Sequence, residues 1–436
     1  MGCTTEFCYS KYLKLLHTEV VPALGCTEPI AVALAVAKAR ETLSARADRV
    51  EVYTSPNIYK NGMGVGIPGT GLTGLLVAAA LGAIEGDSTD SLELLKNVNA
   101  ESVKLANELI AASKVAVSVK STSHKLFVEA ICYDSNGNQG KAIIVDKHSN
   151  IVSAERNGSI VWKKPEEPVE TVASDNPEEK ISLTITEIYS FSQEVPFSRI
   201  EFILKSAQMN TVIAQEGLTG NYGLKVGKTL AEYVKKGVLS DDMANYAMSL
   251  TAAASDARMA GSTLPVMSNS GSGNQGLTAT LPVVAVAERL NASPEKLARA
   301  LVISHLVAIH IKSYLGRLSA LCGCVVASAG AGCGISYLMG GGVPEIESTI
   351  KNMIGNVTGM ICDGAKVGCA LKVSSGVNSA VQSALLALQG ICISANDGII
   401  EDDVEKTIQN MCRVGAEGMR ETDNLLLQIM TSKGEG

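Results

Sequence analysis

From residue 185 to its end the chain carries no strand signal at all, and this one-sided distribution constrains the fold more than any other feature. The segments FSRIEFILKSAQMNTVIAQEG, SDDMANYAMSLTAAASDARMAG, PEKLARALVISHLVAIHIKSYL, IESTIKNMIGNVTGMI and VNSAVQSALLALQG follow one another with helical spacing of their apolar positions. Their alanine, serine and glycine content lets helix backbones approach closely, as a large all-helical domain requires. Between residues 46 and 184 the period shortens to two in RVEVYTS, KVAVSVKS, KLFVEAICYD, GKAIIVDK and KISLTIT, with helical runs TGLLVAAALGAIEG and VNAESVKLANELIAAS between the first two. The expectation is an α+β fold: a large all-helical domain over 185–436 and a smaller, mainly antiparallel α/β sandwich domain over 46–184. Residues 1–45 are expected to be a helical segment that packs on the helical domain and carries Cys26, with Pro29 in a helical first turn.

A length of 436 residues with 46% hydrophobic composition is enough for a substantial core. The net charge of −7 leaves no basic footprint for nucleic acid or an anionic membrane, which points to a small polar metabolite as partner. Residues 259–287 and 318–344 lack charge, but glycine, serine, asparagine and proline interrupt both, so they read as buried loops and helix ends instead of membrane spans. The N-terminus lacks an apolar export signal, and a cytoplasmic protein is expected. Residues 163–180, acidic and proline-bearing, read as a surface excursion.

Eleven cysteines in such a setting argue for buried packing residues, catalytic thiols or metal ligands rather than disulfides. Cys132 in a strand, and Cys392 and Cys412 on apolar helical faces, fit packing; Cys3 and Cys8 are assigned no role. Cys26, Cys322, Cys324, Cys333, Cys362 and Cys369 stand in glycine-rich or helix-boundary segments. If Thr27 caps the helix containing Pro29, the Cys26 thiol lies at the positive end of a helix dipole, where a thiolate is favoured. LCGCVVASAGAGCG and MICDGAKVGC lack the two close C-x-x-C pairs of structural zinc, whereas iron–sulfur clusters accept ligands distant in sequence.

PALGCTEPIA, NIYKNGMGVGIPGTG, SNSGSGNQG, CGCVVASAGAGCG and MICDGAKVGCALK, in this order, resemble the L-cysteine desulfidase family, which is related through its helical domain to the iron–sulfur L-serine dehydratases. The resemblance implies a 4Fe-4S cluster held by three cysteines, which map best onto Cys26, Cys322 and Cys362, the last followed by Asp363. The related dehydratases carry a ligand shortly beyond their Cys-Asp pair, which makes Cys369 an alternative at a shorter spacing, and Cys324 and Cys333 packing residues. It further implies a pyridoxal-independent carbon–sulfur lyase that converts L-cysteine and water to sulfide, ammonia and pyruvate. L-serine dehydration on the same cluster is the nearest alternative, and a non-catalytic iron–sulfur or thiol sensor is another.

A positioned base is needed for the α-proton. Tyr59 and Lys60, ahead of the glycine-rich turn, are the catalytic candidates, and Asn61 beside them a substrate-binding one. His310, Lys312 and Arg317, where an apolar helix runs into the cysteine segment, are candidates to bind the substrate carboxylate or tune the cluster, with Lys312 preferred for the substrate. His305 reads as a core residue, and Lys366 as a surface lysine able to offset cluster charge. SNSGSGNQG offers hydroxyls and amides for a carboxylate, through Ser270, Ser272 and Asn274. GVGIPG matches a dinucleotide fingerprint, but no second parallel strand follows it. The partners expected are an amino-acid substrate, no nucleic acid and no membrane; a homodimer is left open.

Overall fold

The computed structural model describes residues 5–165, 183–316 and 319–432. Helix α1 (Thr5–Glu19) leads through a short strand, β1 (Pro22–Ala23), to α2 (Thr27–Leu43). The helical segment expected over residues 1–45 is therefore broken into two helices, where Pro22 removes an amide donor and Gly25 takes φ 60°. Strand β2 (Arg49–Thr54) is followed by α3 (Pro56–Gly62), α4 (Leu75–Ile84) and α5 (Ala100–Ala111). Then come β3 (Val115–Val119), β4 (Phe127–Tyr133), β5 (Gln139–Val145), β6 (Ile151–Arg156) and β7 (Ser159–Lys163).

These six strands form one sheet in the order β3-β2-β4-β5-β6-β7. The β2–β3 pair is parallel, because the helices between these two strands return the chain in the same direction, and the other pairs are antiparallel. The alternation of β5, buried at Gly140, Ala142 and Ile144, turns one face toward α2. Gly140 is required there, because a β-carbon would collide with the α2 backbone at Ala39. Strands β6 and β7 extend the sheet beyond the sequence expectation. KISLTIT contributes no strand at its described end: Thr184 caps a helix through a reciprocal pair with Glu187, a local alternative that outcompetes pairing.

The helices continue as α6 (Ile185–Glu194), α7 (Phe197–Ile200), α8 (Leu204–Thr219), α9 (Val226–Lys235) and α10 (Met243–Met259). After β8 (Val266–Met267), which pairs with β1, come α11 (Gly273–Arg289), α12 (Pro294–Leu315), α13 (Gly323–Leu338) and α14 (Val343–Val357). The chain closes with α15 (Cys369–Leu388), α16 (Val404–Arg413) and α17 (Arg420–Ser432). The α+β class follows. The two uncharged stretches are largely core helices, α11 and α13, each preceded by a loop, and no helix of the described residues is long and apolar enough to cross a membrane.

Two cores result. One gathers the helices from α6 onward; the other lies between the sheet and α2 and α4. The N-terminal segment, expected to pack on the helices as one piece, divides between them: Tyr12, Leu13 and Leu16 of α1 join the first, while Ile30, Leu34 and Leu43 of α2 join the second. Each such buried aliphatic side chain contributes about 1.5–3 kcal/mol. Cys26 belongs to neither, and sits between them with Val65 and Met259.

Candidate active site around the cysteine loops

The loops ahead of α13 and α15 run side by side. Leu321 and Ile361 form an antiparallel bridge, Cys322 N donates to Met360 O at 3.0 Å, and Cys362 N donates to Ala320 O at 2.6 Å. This ladder brings together two cysteines forty positions apart in sequence, and the two thiols act on each other. The neighbouring Cys322 thiol holds the Cys362 thiol below its ordinary range against the opposing effect of burial, helped by Lys60, the Gly364 amide and Lys372. Cys322 is pushed up by Cys362 and by burial.

Cys26 is itself the N-cap residue of α2, and Thr27 is the first helical residue, contrary to the expected cap. Nor does the helix terminus make Cys26 a ready thiolate: burial pushes its pKa to about 11, with only partial opposition from the Arg258 guanidinium. Cys369, at the start of α15, packs against the Cys26 cluster and interacts electrostatically with Cys26 on one side and Cys362 on the other. The thiols thus follow one another as Cys26, Cys369, Cys362 and Cys322. Among the described residues no three His, Cys, Asp or Glu side chains are grouped so as to hold a single metal ion.

Cations surround this row. Lys60, 3% exposed at the end of α3, ion-pairs with Asp423 of α17 and acts on Cys362. Lys312, in the last turn of α12, has no hydrogen-bond or carboxylate partner among the described residues; burial lowers its pKa while Cys362, Cys322 and Cys412 act the other way. Lys372 and Lys366 both pair with Asp363; burial would raise that carboxyl, but the two lysines hold it at about 2. Arg258 of α10, 7% exposed, donates to Gly25 O at 2.9 Å and to Asn274 Oδ1 at 3.2 Å.

Other expected residues lie elsewhere. Tyr59 packs against the core beneath the sheet. Asn61 donates to Glu28 Oε1 at 3.3 Å, close to Cys26. In SNSGSGNQG several backbone amides are already engaged: Asn269 and Ser272 bond each other, and Ser270 N donates to Glu19 O. The Ser272 hydroxyl caps α11, and Ser270 Oγ donates to Asn269 Oδ1. His310 faces away from the thiols, bonded to Glu405 at 2.6 Å. His305 is fully buried, with burial lowering its pKa to about 3. Arg317 falls outside the described residues. Cys324 donates to Lys372 O at 3.2 Å and packs on Gly376 of α15, and Cys333 donates to Ile346 O. Cys392 is exposed beyond α15 instead of lying on a helical face.

Sequence reasoning missed Arg258, Gln275, Lys372 and Asp423. Arg258 had a signal, as one of two charges inside the small-residue run TAAASDARMAG of a buried helix. Lys372 closes the MICDGAKVGCALK segment one helical turn after Cys369. Asp423 had none, since α17 reads as an ordinary polar helix with no buried residue.

Comparison with known proteins adds two findings. Residues 89–428 match the profile of the serine dehydratase alpha chain family. The chain is also 53% identical over 425 residues to a UPF0597 protein of Oleidesulfovibrio alaskensis, covering 98% of each chain. It is 47% identical over 431 residues to one from Bacteroides fragilis, covering 99% of this chain and 100% of the relative. A third, from Parabacteroides distasonis, is 47% identical over 426 residues, covering 97% and 98%.

Proposed function

Because the chain belongs to the serine dehydratase alpha chain family, we propose that it is an iron–sulfur lyase acting on a small β-substituted amino acid, and specifically an L-cysteine desulfidase. The observation that carries this reading is the Cys322–Cys362 pair set side by side by the Leu321–Ile361 ladder, continued by Cys369 and Cys26 and ringed by Lys60, Lys312, Lys372 and Arg258. Such a donor set suits a polynuclear cluster: it consists of soft thiols, several cations balance their charge, and each thiol can bind a separate iron without converging on one point. Cys322, Cys362 and Cys26 would hold the 4Fe-4S group, with Cys369, between Cys26 and Cys362, as the alternative third ligand. When bound, the group supplies a Lewis acid to the departing sulfur at an iron without a protein ligand.

The chain's own residues account for the rest. Lys312, unpaired and beside Cys322 and Cys362, attracts the substrate carboxylate. Lys60 borders the thiols and is the better placed of the two candidate bases for the α-proton, a role it fills as the neutral amine once its ammonium has given up a proton, with Asp423 holding its nitrogen in place; Tyr59 supports the α3 turn from the core side. Removal of that proton with loss of the β-sulfur leaves aminoacrylate, which hydrolyses to pyruvate and ammonia. The family match favours one second reading, loss of hydroxide from L-serine at the same site. Side-by-side turnover of L-cysteine and L-serine by anaerobically reconstituted protein tests this: sulfide and pyruvate released in equal amounts from cysteine are expected, and a clear preference for serine overturns the desulfidase assignment.

A further inference from the structure

The N-terminal turn of α11 holds a polar atom that the fold orients but leaves unsatisfied. Gln275 is 2% exposed, and its Oε1 is buried without a hydrogen-bond partner among the described residues. An orphaned acceptor at that depth is destabilising unless a donor reaches it. Its orientation is set by a chain that begins at an atom unable to donate. The His305 carbonyl accepts from Asn269 Nδ2 at 3.2 Å, so Asn269 Oδ1 faces the other way and accepts from Gln275 Nε2 at 2.8 Å. That leaves Gln275 Oε1 pointing outward from the network.

It points at Gly323, the residue directly after Cys322. A β-carbon at position 323 would meet Gln275 Oε1 at 3.3 Å and nothing else within 4 Å. Gly323 is itself only half-buried, whereas the amide oxygen behind it is shielded from solvent. Lys312, which has no hydrogen-bond or carboxylate partner among the described residues, acts on the neighbouring Cys322 thiol. The carboxylates nearby are already engaged: Asp363 with two lysines, Asp423 with Lys60, and Glu405 with His310.

An unpaired acceptor beside Gly323 and a cation that acts on the adjacent Cys322 suit the two ends of an amino-acid zwitterion. We propose that Gln275 Oε1 receives the α-ammonium group of the substrate, on the side where Gly323 presents no side chain. The assignment rests on the reading of the site as one for amino acids, and it makes the amino group a condition for tight binding.

L-alanine and propionate test it as probes, since they differ only in the ammonium group and neither carries a leaving group. Their affinities are measured as competitive inhibition and by calorimetry on reconstituted holoenzyme. Wild type is expected to prefer alanine, and Gln275→Met to lose about 10- to 100-fold in alanine affinity, the range for a hydrogen bond to a charged group, with propionate little changed and the cluster absorbance retained. Gly323→Ala, which leaves Gln275 in place and fills the space before it, is expected to weaken alanine as well. An alanine-to-propionate ratio that is the same in wild type and Gln275→Met overturns the assignment. Absence of cysteine turnover by cluster-loaded wild type would overturn the desulfidase reading instead, while the alanine preference still decides the role of Gln275.

Discussion

Replacing Gly364 with alanine tests whether the loop that carries Cys362 is pinned against α3. Gly364 has φ 90°, and a β-carbon there would run into the Lys60 carbonyl oxygen. Left-handed backbone costs a non-glycine residue roughly 1–2 kcal/mol, and displacing packed backbone to relieve a collision costs typically about 1–3 kcal/mol more. The total expected loss is about 2–5 kcal/mol. Gly137 provides the control, because it has φ 81° in a hairpin turn with nothing within 4 Å of a β-carbon, so Gly137→Ala should lose only the strain. Urea unfolding of both variants beside wild type then isolates the collision as a difference of about 1–3 kcal/mol. The same displacement withdraws the Gly364 amide from Cys362, so iron retained per chain after anaerobic reconstitution should fall in Gly364→Ala and stay at the wild-type level in Gly137→Ala. Equal stability losses together with equal iron would refute the reasoning.

Single serine substitutions at Cys26, Cys322 and Cys362 should each reduce bound iron and bleach the visible absorbance, while Cys324→Ser and Cys333→Ser keep both; loss in Cys369→Ser with retention in Cys26→Ser would exchange the third ligand. Glu405→Ala leaves the buried His310 ring and the Ile185 amide without their acceptor, so it should cost about 1–3 kcal/mol in urea unfolding and leave iron content unchanged. His305 is kept neutral in the fold, with a pKa of about 3 against an ordinary 6.5, so the stability it contributes is full above pH 6.5 and is lost as pH falls toward 3. At pH 5 the unfolded chain has gained about 2 kcal/mol by protonating this ring. Asp256, raised by burial to about 6, acts with the opposite sign, since its contribution is lost as pH rises through that value. The His305 effect is therefore read as the difference in slope between wild type and His305→Gln from pH 7 to pH 5.

Periodicity exposed most of the architecture because each element buries a face whose spacing is written locally. The α12 run, the β2 to β5 strands and the crossover helices between β2 and β3 are all of this kind. What escaped depends on competition between neighbouring signals or on distant partners. LTIT has strand-forming residues, yet the Thr184–Glu187 capping pair directs it into α6. Ser270, Ser272 and Asn274 were legible as a polar turn, but their hydrogen bonds are spent on capping α11 and anchoring neighbouring chain, while the unsatisfied group belongs to the adjacent Gln275. Cys322 and Cys362 could be placed by their glycine-rich surroundings. Their juxtaposition, and the approach of Lys60 and Asp423 from opposite ends of the sequence, are products of tertiary packing that no local window contains.

Helix α17 contributes no fully buried residue, yet Asp423 grips Lys60 and Met430 reaches the neighbourhood of Gly364. Its hold on the rest of the molecule is thus concentrated at the candidate site instead of in a hydrophobic core. Affinity tags or fusions appended behind this helix would tug on that site directly, and a preparation that looks soundly folded by calorimetry could still have Lys60 displaced. Leaving the carboxyl-terminal end untouched is the safer engineering choice when the protein is produced for kinetic work.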